Sequence, residues 1–373
     1  MILKDWIKEL HERLPDYLAS LNISGQPGRF QPAAAGLAPQ GERVGLGFSC
    51  FAAKVNVTLN LWQTLSQDHQ IQWLSHIKAY QRPSNPLRGR VMANAFIDRA
   101  VCRWHADRMP LLRKISQRVF PSRRLTYFEK VIIAETKQAC ATLAELGDEG
   151  LHSYRAFPHA ENQISPYLNR LDWRQPWDAG AHFASLAVFI ATQAPAFLSP
   201  AICQKLEAAC QNYVETLVHP ENGGYYLGPT PEYGMLVNGA MKVLTGLDWL
   251  NIPVHYPRQL IDTCLAKSPQ PEGCHLVDAV YTLYRCAQLT TYRRKDIIRY
   301  GHQILKMIRA HYHPREGGFS YFPGKSQTQY YGIPITKGLD TADIHGTVLL
   351  VWAVAMTLDL LEENIYHWRV IKP

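Results

Sequence analysis

His219-Pro220-Glu221-Asn222-Gly223-Gly224-Tyr225 and His313-Pro314-Arg315-Glu316-Gly317-Gly318-Phe319 are two copies of one pattern, H-P-x-x-G-G-aromatic, set 94 residues apart. Each copy follows a long amphipathic stretch, 201–218 and 294–312, and precedes a loop and an apolar stretch rich in small residues. Paired glycines predict that the helix ends there and the chain reverses without a Cβ clash, with the aromatic packed beneath the turn. Four helical stretches fit between the copies. One helical hairpin then takes about 47 residues, a length typical of helical repeats.

Outward from this repeat, helical periodicity dominates and strand alternation is scarce. Candidate helices fall near 2–21, 49–65, 67–81, 93–107, 123–147, 178–195, 201–218, 233–250, 256–267, 275–289, 294–312 and 343–363. They are of two kinds. Ala179–Ala187, Val237–Met241 and Gly346–Ala353 are apolar on most sides, which predicts burial on most sides; Arg294–Tyr300 has a charged face. Alternating buried and surface helices predict an all-α fold, an α/α toroid of two concentric rings with about five to six helical hairpins. The expected organisation is an N-terminal helix and Gly/Pro-rich linker over residues 1–48, then a toroid domain over 49–373, its cavity drawn from about 90–364. The first helix sets Ile2, Trp6, Leu10, Leu14 and Leu18 on one face, while Asp5, Glu9, Glu12 and Asp16 offset its lysines. That balance predicts packing on the body and leaves peripheral membrane contact as the alternative.

Composition narrows the class. Of 373 residues 47% are hydrophobic and 19% charged, which excludes a disordered chain and supports a large core. Lys and Arg number 39 against 31 Asp and Glu, a net charge of +8. So thin an excess permits an anionic partner without requiring one. No apolar run of membrane-spanning length stands out, and no apolar leader follows the charged start; the expectation is a cytoplasmic protein whose eight cysteines, none in a CxxC, are reduced core thiols. Phosphate-loop, HExxH, GxSxG and zinc-finger patterns are absent, and no interleaved basic-aromatic motif points to nucleic acid. The basic runs Arg88-Gly89-Arg90, Arg123-Arg124 and Tyr292-Arg293-Arg294-Lys295 read as solvated faces or as diphosphate contacts.

Gly223-Gly224-Tyr225, Gly317-Gly318-Phe319-Ser320 and the helix start between Asp340 and Trp352 resemble the α/α-toroid superfamily that includes terpene cyclases and protein prenyltransferase β subunits. The resemblance covers about residues 120–364. It implies an isoprenoid substrate and, in the prenyltransferases, a zinc ion. The D-x-D-D acid motif of class II cyclases meets Asp340-Thr341-Ala342-Asp343, with Ala342 where the acid stands. The prenyltransferase zinc motifs meet Glu272-Gly273-Cys274-His275 and Asp343-Ile344-His345-Gly346-Thr347, where His345 comes one place early and is turned by about 100° on a helix. Cys274 and His345 are therefore the metal-ligand candidates, and no other cofactor is implied.

The first turns of the buried helices of a toroid meet at one face of its cavity, near the positive ends of the helix dipoles. This nominates Asp343, His345, Asp278, His275 and Asp340 for catalysis, and Trp177, Asp178, His182, Tyr233, Asn238, Tyr330 and Tyr331 for substrate binding. Asp178 and Asp340 read equally as helix caps, and His182 and His345 as core histidines. Asp278 stands out: an unpaired charge in mid-helix between Val277 and Ala279 costs several kcal/mol, about the penalty of a buried ion, unless it faces a cavity or a partner. The leading expectation is an enzyme acting on a small, anionic or isoprenoid substrate by acid-initiated cyclisation or prenyl transfer, with Asp343 as the acid and His345 its relay. The alternatives are a carbohydrate-active toroid with Asp178 and Asp343 as an acid/base pair, and a non-catalytic scaffold.

Overall fold

The computed structural model describes residues 3–82, 90–108 and 125–373. Its helices are α1 (Leu3–Leu21), α2 (Leu46–Thr58), α3 (Gln67–Lys78), α4 (Arg99–Arg108), α5 (Tyr127–Glu145), α6 (Glu161–Leu168), α7 (Pro176–Thr192), α8 (Pro200–Glu215), α9 (Tyr233–Trp249), α10 (Pro257–Leu265), α11 (Gly273–Ala287), α12 (Arg294–Arg309) and α13 (Ile344–Leu361). Local chemistry sets several starts. Thr126 and Glu129 form a reciprocal capping box before α5, and Ser199 caps α8 ahead of Pro200. The six apolar helices pack in sequence, α2 on α5, α5 on α7, α7 on α9, α9 on α11 and α11 on α13, and α13 returns to α2. This closes the inner ring. Amphipathic helices lie outside it, α3 on α2, α8 on α7, α10 on α11 and α12 on both α11 and α13. The fold is an all-α α/α toroid.

The repeated heptapeptides take the same shape, but the helices end before the glycines, at Glu215 and Arg309. α8 and α12 have already ended when each motif forms a small hairpin. Gly223 N–H donates to His219 O at 2.7 Å and Gly317 N–H to His313 O at 2.8 Å. Both glycines sit at positive φ, 71° and 85°, where an L side chain is strained. Tyr225 and Phe319 are buried beneath the turns. In the second copy the hairpin is a two-stranded ladder, β1 (Tyr312–His313) with β2 (Gly318–Phe319); a further hairpin pairs β3 (Gln329–Tyr330) with β4 (Ile333–Pro334).

The stretch expected as a linker is pinned to the ring. Lys337 N–H donates to Gly36 O at 2.7 Å, Ala38 N–H to Ile335 O at 3.0 Å and Ile344 N–H to Pro32 O at 2.9 Å. α1 packs its apolar face on the second heptapeptide, where Trp6 meets Tyr312 and Phe319 edge to face. α6 was not legible, since eight residues containing Pro166 give too short a periodic signal. α4 starts later than periodicity suggested, because Asn94 sits at positive φ and Asp98 accepts from Ala100 N–H at the helix start. α13 corrects the reading that no apolar stretch has membrane-spanning length: by length and composition it has, but it is an inner-ring helix, mostly buried. None of the eight cysteines is in a disulfide. Arg88-Gly89 and Arg123-Arg124 lie outside the described residues.

Candidate functional site

The inner ring encloses a cavity of about 610 Å³. Its mouth is built by first turns: Trp177 of α7, Glu232 and Met235 at the start of α9, Cys274 and His275 of α11, and His345 of α13. Tyr321, Gln327, Tyr330 and Tyr331 close over it from the loop before α13. Deeper, the wall carries Phe51, Met241, Val348, Leu349 and Trp352, and Ile371 and Pro373 lie against the floor. Trp352 Nε1 donates to Ile371 O at 3.2 Å and Trp249 Nε1 to Pro373 O at 2.8 Å, so the tail residues are fixed there.

Eight of the residues singled out from sequence line this cavity: Asp278, His275, His345, Cys274, Asn238, Trp177, Tyr330 and Tyr331. Asp278 is fully buried, and burial pushes its carboxyl up to about 6 against the opposing pull of Lys242 and His275. Lys242 Nζ stands 3.8 Å from Oδ1, and neither Asp278 oxygen has a hydrogen-bond partner. Asn238 Nδ2 donates to His275 Nδ1 at 3.0 Å, which leaves the Nε2–H side 3.3 Å from Glu272. His345 stacks on Phe51 with ring centroids 4.8 Å apart, and its Nδ1–H donates to Gln327 Oε1 at 2.5 Å. Burial, reinforced by Lys242, pushes its imidazole down to about 4, so it is neutral at physiological pH. Tyr330 donates to Glu135 Oε1 at 2.7 Å; burial and the neighbouring Asp98 charge raise that carboxyl to about 8.

The other five lie elsewhere. Asp343 caps α13 and clasps the loop before it: Gly346 N–H donates to Oδ1 at 2.7 Å, and Tyr321 and Gln327 N–H to Oδ2 at 2.7 and 3.0 Å. Three fixed backbone donors thus hold its two oxygens. Asp340 is exposed beside His313. Asp178 pairs with Lys130 at 2.6 Å on the surface. His182 is buried beside that pair, its imidazole lowered chiefly by burial. Tyr233 donates outward to Cys264 O and Lys267 O. Neither Asp178 nor Asp343, the acid/base pair expected for a carbohydrate-active toroid, lines the cavity. Cys274 and His345 share the cavity, yet among the described residues no three His, Cys, Asp or Glu side chains gather closely enough to hold a metal ion. The Cys274 thiol is raised by burial, with the Asp278 charge adding to it.

Three lysines are the part of the site that sequence reading missed. Lys54 of α2, Lys137 of α5 and Lys242 of α9 all line the cavity. Lys54 and Lys137 make no ion pair with any described residue, and the amine of Lys137 is pushed well below the lysine range by burial and then by repulsion from Lys54 and Lys242. For Lys54 and Lys242 the signal was a lysine inside an apolar run, Phe48–Val57 and Gly239–Leu247; Lys137, in Glu135-Thr136-Lys137-Gln138, carried no such signal. The arrangement can bind anions, exchange a proton at Asp278 and stack a ring on Trp177, Phe51 or Tyr321.

No protein-family model and no curated protein matches the chain. Among solved structures it is similar to an inactive double Asp-to-Asn variant of the alpha-1,6-mannanase GH76A of Salegentibacter sp. HEL1_6, in complex with alpha-1,6-mannotriose. The identity is 11%, the TM-score 0.40, and the match covers 95% of this chain and 98% of that one.

Proposed function

We propose that the central cavity binds and acts on an acidic carbohydrate, a uronate-bearing sugar or short oligosaccharide, with Asp278 as general acid. The carrying observation is that amines short of anions and a carboxyl short of donors line one cavity: among the described residues Lys54 and Lys137 have no ion-pair partner, Lys242 has only Asp278 at 3.8 Å, and the two Asp278 oxygens need hydroxyl donors. A single ligand with both a carboxylate and hydroxyl groups answers both needs. Polar side chains also project inward from α2, α5, α9, α11 and α13, so a hydrocarbon would leave most of them desolvated and unpaired. Aromatic faces supply the stacking surface a sugar ring uses. A carboxyl at about 6 is protonated in a useful fraction near neutral pH and can protonate a glycosidic oxygen as its C–O bond breaks. Glu232, the carboxylate at the mouth, is the partner that takes the proton of the attacking water.

The apolar depth around Met241, Val348, Leu349 and Trp352 favours a second reading, an anionic ligand with a hydrocarbon body such as a prenyl diphosphate. Calorimetric titration with galacturonate and glucuronate oligosaccharides, the matching neutral oligosaccharides and farnesyl diphosphate separates them. Acidic sugars should bind, and Lys137→Met should weaken them by about 10- to 100-fold, the weight of one charge-assisted hydrogen bond. Neutral sugars binding as tightly as acidic ones, or farnesyl diphosphate binding more tightly than either, would overturn the carbohydrate reading.

A further inference from the structure

A second cleft, of about 640 Å³, opens outside the ring and shares no lining residue with the central cavity. The β3–β4 hairpin separates the two, with Tyr330 and Tyr331 on the cavity and Ile333 on the cleft. Five arginines surround the cleft: Arg29 and Arg43 from the pinned N-terminal segment, Arg82 after α3, and Arg99 and Arg103 from α4. The one carboxylate there, Asp98, is already engaged. Its Oδ2 accepts from Gly45 N–H at 2.8 Å and Leu46 N–H at 3.2 Å, and its Oδ1 from Ala100 N–H at 2.8 Å.

The arginines themselves are left over. Arg29 is held by Gln26 Oε1 at 2.7 Å and Glu42 O at 3.0 Å, yet its Nε is buried without a partner. Arg43, Arg82, Arg99 and Arg103 form no ion pair with any described residue. Some arginines elsewhere are ion-paired, Arg293 with Asp262 and Asp296, Arg294 with Glu362, and Arg285 with Asp248. Arg99 and Arg103 stand four apart on one helix face, where like charges repel. Guanidiniums lining one concavity, whose one lining carboxylate is already engaged, suit the charge and the paired oxygens of phosphate groups.

We propose that this cleft is a second ligand site, one that takes a small molecule bearing a diphosphate group. Five guanidiniums against one carboxylate exceed what a single phosphate would neutralise. The site is independent of the carbohydrate reading, since no residue is common to both.

Inorganic pyrophosphate is the first probe, titrated calorimetrically into the full chain, with inorganic phosphate and malonate as the monovalent-group and dicarboxylate arms. Pyrophosphate should bind saturably and more tightly than either. Arg99→Gln combined with Arg103→Gln changes only exposed side chains and should lower that affinity about tenfold or more, whereas Lys137→Met combined with Lys242→Met should leave it unchanged. Thermal melting checks that each variant folds; Arg43→Gln alone, expected to weaken binding severalfold, serves where the double variant does not. No saturable binding, equal binding of all three anions, or a loss that follows the lysines rather than the arginines would overturn the proposal.

Discussion

Asp278→Asn should make this protein more stable and less active at once. Asp278 is fully buried in mid-helix; among the described residues neither oxygen has a hydrogen-bond partner and only Lys242 is within ion-pair reach. Its carboxyl stands at about 6 in the fold against 3.8 when exposed. The folded state therefore holds a proton that the unfolded chain has released between those two values. Stability contributed by the protonated carboxyl is complete below pH 3.8 and is lost as pH rises through about 6. A gap of roughly two pH units, at about 1.4 kcal/mol each, comes to about 3 kcal/mol of destabilisation at pH 8. Asparagine has nothing to ionise, so that cost disappears. Lys242 loses its counter-charge, which offsets part of the gain and leaves about 1–3 kcal/mol. Urea unfolding of both proteins at pH 4 and pH 8 reads the effect as a difference of differences, in which the other titrating groups cancel. The variant should gain on the wild type between the two pH values while turnover of any acidic sugar substrate falls to background. Parallel stability profiles would refute the assignment of Asp278 as a strained, buried acid.

Lys137→Met should also stabilise the fold at neutral pH. The folded lysine is pushed below its exposed value, so the wild type gains stability as pH climbs toward 10, and the advantage of the variant should shrink over that range in thermal melts. Tyr330→Phe removes the hydroxyl that donates to Glu135 Oε1, and among the described residues the other oxygen has no partner; the expected loss is about 1–3 kcal/mol in chemical unfolding at pH 7. Gly346→Ala puts a methyl group 2.4 Å from the backbone of Ser320 and Tyr321, and should cost about 1–3 kcal/mol by denaturant midpoint or prevent folding.

The ring was legible because its two strongest constraints are written locally. Gly223 and Gly317 recur because one turn needs positive φ twice, and helices such as α13 are apolar on every side because neighbours enclose them. The small hairpins, the short helix α6 and the anchoring of residues 32–38 depend on contacts far along the chain, and no periodicity reports those. The site was legible where a polar residue broke an apolar helix near its start, as at His275, Asn238 and Asp278. The same test applied to lysine would have found Lys54 and Lys242. Lysine is so commonly a surface residue, its stem lying along apolar area with the charge in water, that position alone does not mark it as inward-facing.

Asp343 and Asp278 show why a carboxylate at a helix start and one in mid-helix must be read differently. Burial raises both to about 6. At Asp343 three backbone N–H groups already point at the oxygens, so adding a proton there forces a fixed donor away from its acceptor, and the group does better as a clasp than as an acid. At Asp278 no donor among the described residues is in place, the residue lines the cavity, and loss of its proton breaks no hydrogen bond. Displacement of the pKa is common to the two, hence it cannot be what distinguishes them. The distinction lies in whether the oxygens have been left unoccupied, and keeping them so costs stability that only a ligand entering the ring can return.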